Sequence, residues 1–218
     1  MRLALKALLV LVPLSLLLGG CLAVGQAFNL AQIVATLVAA GGGAIAVAAL
    51  DKREWIRSKA KQPFFAGTLR GGFGNPFDVV VGGRVPLSDA FGQVIAASLK
   101  AKGFQPQVVI TTVDDTDDQA RQKLAATGAG RSLLISIDKW QSDTMTNVAM
   151  HYLLTATVFD VGGNQLASHT ITGAENGKDN LRGSVMNPAG YAKKAVPKAF
   201  QDQIERLLNH DDIAKALG

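Results

Sequence analysis

The sequence predicts an α+β fold: a mixed, largely antiparallel sheet with helices packed on one face. Three observations predict it. Residues 148–172 form two strand-like runs around Gly162-Gly163-Asn164, a hairpin signal. Residues 86–102, and the chain from Asn187 onward, repeat apolar positions at helical spacing. Between residues 44 and 138, short β-branched runs are interspersed with helix-like ones. The 218 residues can bury a sizeable core without disulfides or metals. The single cysteine excludes an internal disulfide framework and any multi-cysteine metal cluster.

The elements follow in order. Ala44 to Leu50 is uncharged, apolar and followed by charges, which suits a buried first strand. Phe64 to Leu69 and Phe77 to Val81 read as paired strands around the loop Arg70-Gly71-Gly72-Phe73-Gly74-Asn75-Pro76. Pro86 to Lys102 is a helix with Leu87, Phe91, Val94, Ile95 and Leu99 on one stripe, Ser88 as its N-cap and Gly103 as its C-cap. Gln107 to Val113 is a strand. A short helix then opens at Asp114-Asp115-Thr116-Asp117-Asp118 and ends by Gly128. Ser132 to Asp138 alternates with Leu133, Ile135 and Ile137 on one face; Val148 to Val158 alternates over a longer run and returns in Gln165 to Thr172. Asn187-Pro188 starts the C-terminal helix, which Pro197 is expected to kink, and Asp211 or Asp212 caps a last turn ending at Leu217.

The N-terminus accounts for much of the mean hydropathy of +0.21. Arg2 and Lys6 precede an apolar run from Leu8 to Leu18, too short to span a bilayer, and Gly19, Gly20 and Cys21 follow. This is a secretory signal, and Leu18-Gly19-Gly20-Cys21 resembles a bacterial lipobox. The resemblance implies diacylglyceryl transfer to the Cys21 thiol, cleavage before it, and a membrane anchor made of acyl chains. Leu22 is not the aspartate that marks inner-membrane retention in lipoprotein sorting, which implies the outer membrane. The expected organisation is a signal peptide over 1–20, a lipidated N-terminus and apolar linker over 21–43, with a helix or linker at 28–40, and a periplasmic domain over 44–218.

A competing reading takes residues 30–50, which carry no charge, as a membrane span flanked by the basic cluster beginning at Lys52. Gly41-Gly42-Gly43 at its centre and its Ala/Val composition argue against a spanning helix. Removal of the signal lowers the net charge from +5 to +3. Residues 51–70 alone carry +4 and the chain beyond them −1. One basic segment with only Trp55 interleaved is not a nucleic-acid footprint; it reads as a solvated loop near anionic head groups.

Chemistry-bearing residues are sparse. His151, His169 and His210 lack a third ligand in any metal-site spacing, and no nucleophile elbow exists for a Ser–His–Asp site. Asp114, Asp115, Asp117 and Asp118 lack the glycine and terminal glutamate of a calcium loop and suit a helix's first turn. The glycines at 71–74 run into Pro76 and a strand, unlike a phosphate loop. No catalytic residue, metal or cofactor is therefore expected. The candidate partner loop is Arg70, Phe73 and Asn75, since exposed aromatics and arginines are favoured interface anchors. Trp140 is a second candidate, as a surface aromatic.

The lipobox, Leu50-Asp51-Lys52-Arg53, GTLRGGFGNP at 67–76, VPLSDAFGQVIAASLKAKGF at 85–104, the strand-turn-strand at 147–172 and the helix ending near Asp211-Asp212-Ile213 together resemble the YajG-type family of bacterial lipoproteins. The resemblance covers roughly 170 residues. The apolar stretch after Cys21 departs from it. It implies a small periplasmic, outer-membrane-anchored protein with no established activity, similar in fold to small envelope domains such as the TolB N-terminal domain, which act in assemblies. The expected function is a non-catalytic, lipid-anchored protein that binds other envelope components. The alternatives are a two-span inner-membrane protein with a cytosolic binding domain and a cell-wall hydrolase.

Overall fold

A computed structural model describes residues 26–71, 73–173, 180, 181 and 186–218. Its strands are β1 (Ala27–Phe28), β2 (Ala44–Asp51), β3 (Phe65–Arg70), β4 (Pro76–Val81), β5 (Gln105–Val108), β6 (Arg131–Thr144), β7 (Val148–Asp160), β8 (Gln165–Thr172) and β9 (Asn180–Leu181). Its helices are α1 (Glu54–Arg57), α2 (Leu87–Lys100), α3 (Asp117–Ala125), α4 (Pro188–Leu208) and α5 (Asp211–Leu217).

All nine strands join one sheet built around the long β6–β7 hairpin. One edge of β6 is shared: residues 131–137 pair in parallel with β2, and residues 142–144 pair in parallel with β3. A bulge between Ile137 and Lys139 marks the crossover. Beyond β2 lies β5, and beyond β3 lie β4 and β1; β8 and β9 cover the far edge of β7. The sheet is mixed, as predicted, with the longest ladders, β6–β7 and β7–β8, antiparallel. The predicted hairpin forms, with Ala156 facing His169 and Thr155 facing Thr170.

The main core lies between the sheet and α2, α4 and α5. Ile45, Val47 and Ala49 of β2 point into it, with Val148, Met150, Tyr152, Leu154, Ala156 and Val158 of β7. The helices are not all on this face. Ala120 and Leu124 of α3 cover the opposite side, against Ala46, Ala48, Leu50, Leu134 and Phe159. Because β2 is buried on both faces, its sequence shows no polar alternation.

Residues 29–43 are neither a helix nor a free linker. Leu30, Ala35, Leu37 and Ala39 are buried in the main core. The Ala35 amide donates to Ser98 Oγ at 2.8 Å, the Thr36 amide to Glu205 Oε1 at 2.8 Å, and the Val38 amide to Asn209 Oδ1 at 2.8 Å. The segment is thus an extended strap tied to α2 and to the C-terminal end of α4, and the expected domain start at residue 44 falls inside the folded unit. Burial of Leu30, Ala35, Leu37 and Ala39 accounts for part of its apolar character, while Val34 and Val38 are exposed. Among the described residues no helix is long and apolar enough to cross a membrane.

Several boundaries differ from expectation. α2 starts one residue before Ser88, after Pro86, and Ser88 Oγ is 3.4 Å from Asp89 instead of capping the helix. Ala101 is the C-cap, and Gly103 follows at φ +93°, where an added Cβ would lie 2.7 Å from the Gly41 carbonyl. The strand expected at 107–113 pairs only over Gln105–Val108. α4 begins as predicted, with Asn187 Oδ1 accepting from the Gly190 amide at 2.8 Å, and Pro197 lies inside the helix. His210, not an aspartate, is the N-cap of α5.

Gly67 fixes the approach of β3 to β6. At φ +151° its missing Cβ would sit 2.3 Å from the Ser142 carbonyl oxygen. Gly67→Ala is expected to cost about 1–3 kcal/mol, because backbone would have to move. Urea denaturation of the purified chain checks this.

Candidate functional site

The β3–β4 loop forms at one end of the sheet. The Gly71 amide donates to the Asn75 carbonyl at 2.9 Å, and the Gly74 amide to the Gly71 carbonyl at 2.8 Å. Gly74 takes φ +80°, which favours glycine. This tight closure projects Phe73 into solvent with 99% of its surface exposed. Asn75 is exposed beside it. Arg70 is not free: its Nε and Nη2 hold Asp143 at 2.8 and 2.6 Å, and that carboxylate raises the Arg70 pKa. The pair staples β3 to β6 just below the loop. Of the three predicted loop residues, Phe73 and Asn75 are thus available to a partner, while Arg70 serves chiefly to orient the loop.

The sequence placed Trp140 at the surface, and the structure corrects this. Trp140 is fully buried, its ring edge-on to Phe91 of α2 at 6.4 Å and to Phe200 of α4 at 5.7 Å. Its Nε1 donates to Gln203 Oε1 at 2.7 Å. The bulge at residue 138 is the cause. Before it, odd-numbered residues of β6 face the helices; after it, even-numbered ones do.

The basic segment at 51–70 is likewise not a loosely solvated loop. Lys52 reaches Asp117 at 3.2 Å and Asp138 at 3.6 Å, Lys61 holds Asp78 at 2.6 Å, and Arg57 donates to the Asp115 carbonyl. Arg53 is wholly buried, and its guanidinium uses all five N–H donors. Two go to Asp51 at 2.8 and 2.7 Å, and three to the carbonyls of Phe65, Trp140 and Pro63. It thereby joins the end of β2 to β3 and to β6 just past the bulge.

Of the four aspartates expected at the helix start, Asp117 and Asp118 lie in the first turn of α3, while Asp114 and Asp115 precede its N-cap Thr116. Thr116 and Gln119 form a reciprocal capping box. Asp115 accepts from Lys123 at 2.6 Å and from the Thr112 amide, which together hold its carboxyl below the usual range against the cost of desolvation. Asp118 pairs with Arg121.

His151 and His169 do not meet, because His151 faces Gln141 across the β6–β7 ladder. His169 stacks instead on His210, ring centroids 3.7 Å apart. Sequence spacing carried no signal for this contact, which arises where α5 folds back over β8. Burial, first, and then the neighbouring His210 push the His169 pKa down from 6.5, with Asp212 opposing. A histidine kept neutral by folding binds more protons when unfolded. Its stability contribution is therefore complete above about pH 6.5 and is lost as the pH falls through the lower folded value. The urea midpoint should drop between neutral and mildly acidic buffers, and His169→Gln should reduce that drop.

Cys21 and its neighbours Leu18, Gly19 and Gly20 lie outside the described residues. The chain leads from them into β1, which runs parallel to β4, pairing Ala27 with Val80. The Gln26 side chain donates to the Ala189 carbonyl at the start of α4. β1 therefore lies beside the C-terminal end of β4, and Gln26 ties it to the start of α4.

No protein-family model and no curated protein matches the chain. Solved structures do resemble it. Protein XCC0632 from Xanthomonas campestris, a DUF330 protein, shares 14% identity at a TM-score of 0.54, covering 84% of this chain and 94% of that one. Lipoprotein GNA1162 from Neisseria meningitidis shares 14% identity at a TM-score of 0.38, over 75% of this chain and 99% of that one. The LpoB C-terminal domain from Salmonella enterica shares 12% identity at 0.31, over 62% and 85%. The likeness to the Xanthomonas protein defines a common fold class; fold alone does not carry function.

Proposed function

We propose that the protein is a lipoprotein of the bacterial outer membrane, acylated at Cys21, whose folded unit faces the periplasm and binds other envelope components without catalysis of its own. The observation that carries this reading is the position of the only cysteine, directly after Leu18-Gly19-Gly20 at the end of an apolar signal run. The fold is consistent with it. Residues 30–50, the competing candidate for a span, are accommodated in the strap and the central strand β2. The YajG-type resemblance supports the same reading.

Labelling cells with radioactive palmitate tests it. Wild-type protein is expected to take up label and Cys21→Ser to take up none. Equal labelling of the two, or labelling of neither, overturns the anchor. A C-terminal tag protected from external protease in spheroplasts would overturn the periplasmic orientation.

A further inference from the structure

We infer that the end of the sheet bearing Phe73, Met145 and Met186 is the membrane-contacting face, and that these side chains enter the head-group and acyl boundary of the bilayer. The inference rests on the Cys21 anchor proposed above and concerns how the anchored domain is oriented.

Strand register brings these residues to one end. Leu69 lies beside Thr144, so the 71–75 loop and the β6–β7 turn with Met145 emerge together. Met186 lies between β9, whose Leu181 pairs with Val148 beside the β6–β7 turn, and α4, whose first turn is held to Gln26. Phe73 is 99% and Met186 94% exposed, the two most exposed large apolar side chains among the described residues; Met145 is exposed beside them. Such side chains on separate loop tips are poorly placed for a common core and well placed to enter a lipid interface.

Tether length selects lipid as the occupant. Cys21 lies five residues before Gln26, a reach of at most about 18 Å. Gln26 sits at the level of Val79, about 10 Å along β4 from Pro76 at the loop end. The opposite end of the sheet, at Val161, lies about 36 Å along β7 from Met150, the residue at the level of Gln26. A bilayer holding acyl chains on Cys21 can therefore touch the Phe73 end and not the Val161 end. Charge agrees with this: Asp78 and Asp143 at this end are matched by Lys61 and Arg70.

The test uses the full acylated protein, Phe73→Cys or Val161→Cys, labelled at the new thiol with an environment-sensitive fluorophore. Each is reconstituted into vesicles of phosphatidylethanolamine and phosphatidylglycerol containing nitroxide-labelled lipid. Both positions are highly exposed, so neither substitution disturbs the core. The expected result is a blue-shifted emission at position 73, quenched several-fold more than at position 161. Solvent-like emission at 73, or stronger quenching at 161, overturns the inference even when the intact mass shows acylated Cys21; a protein partner would then be the better occupant of this end. An intact mass showing unmodified Cys21 overturns the anchor itself and this orientation with it.

Discussion

Arg53→Ala is expected to lower stability by about 3–5 kcal/mol, the range for removing one partner of a buried ion pair. The residue lies in what the sequence shows as a basic run, yet no part of it reaches solvent. Its loss would leave Asp51, itself buried, charged and without its guanidinium, and would strand the carbonyls of Phe65, Trp140 and Pro63. Those three carbonyls belong to the segments that meet where β6 passes from β2 to β3. The variant should therefore lose the seam between the two halves of the sheet, and not merely one contact. Arg53→Lys should recover little, since an ammonium cannot offer five donors in a fork. Urea denaturation of the chain lacking the signal measures both. A midpoint for Arg53→Ala close to wild type would show that the buried pair is dispensable.

Trp140→Ala should cost about 3–5 kcal/mol, as expected for truncating a large buried aromatic. The ring fills the space between α2 and α4, against Phe91 and Phe200, which themselves lie 4.6 Å apart. Trp140→Phe separates packing from hydrogen bonding. It keeps an aromatic ring but leaves buried Gln203 without its donor, at about 1–3 kcal/mol. Near-UV circular dichroism with urea denaturation distinguishes the two. Retention of wild-type stability by Trp140→Ala would restore this residue as a surface candidate.

The sequence made the regular elements legible where one period held. β7 alternates strictly, and its turn into β8 carries Gly162-Gly163-Asn164, so both strands and their pairing as a hairpin are legible. The stripe on α2 was equally plain. Reading failed where tertiary context reset the local pattern. The bulge at residue 138 reverses which residues of β6 face the core, so alternation alone ends the strand there and puts Trp140 outside. The strap at 29–43 shows no polar alternation in sequence although Ala35, Leu37 and Ala39 turn inward alternately, and its amides bond to Ser98, Glu205 and Asn209 from distant elements. The cations of residues 51–70 find carboxylates on α3, β4 and β6, pairings that composition cannot show. For the candidate site, the glycine and Asn-Pro chemistry of the 70–76 loop correctly placed Phe73 in solvent. The role of Arg70 in holding Asp143 depended on β3 pairing with β6, which is nonlocal.

The central claim is that this domain is held at a membrane through Cys21. Mass spectrometry of the N-terminal peptide from protein extracted from its native membrane tests it most directly. The account predicts a peptide beginning at Cys21 whose mass exceeds that of the bare sequence by a diacylglyceryl group, with or without an amide-linked acyl chain. A peptide beginning elsewhere, or one beginning at an unmodified Cys21, would contradict it.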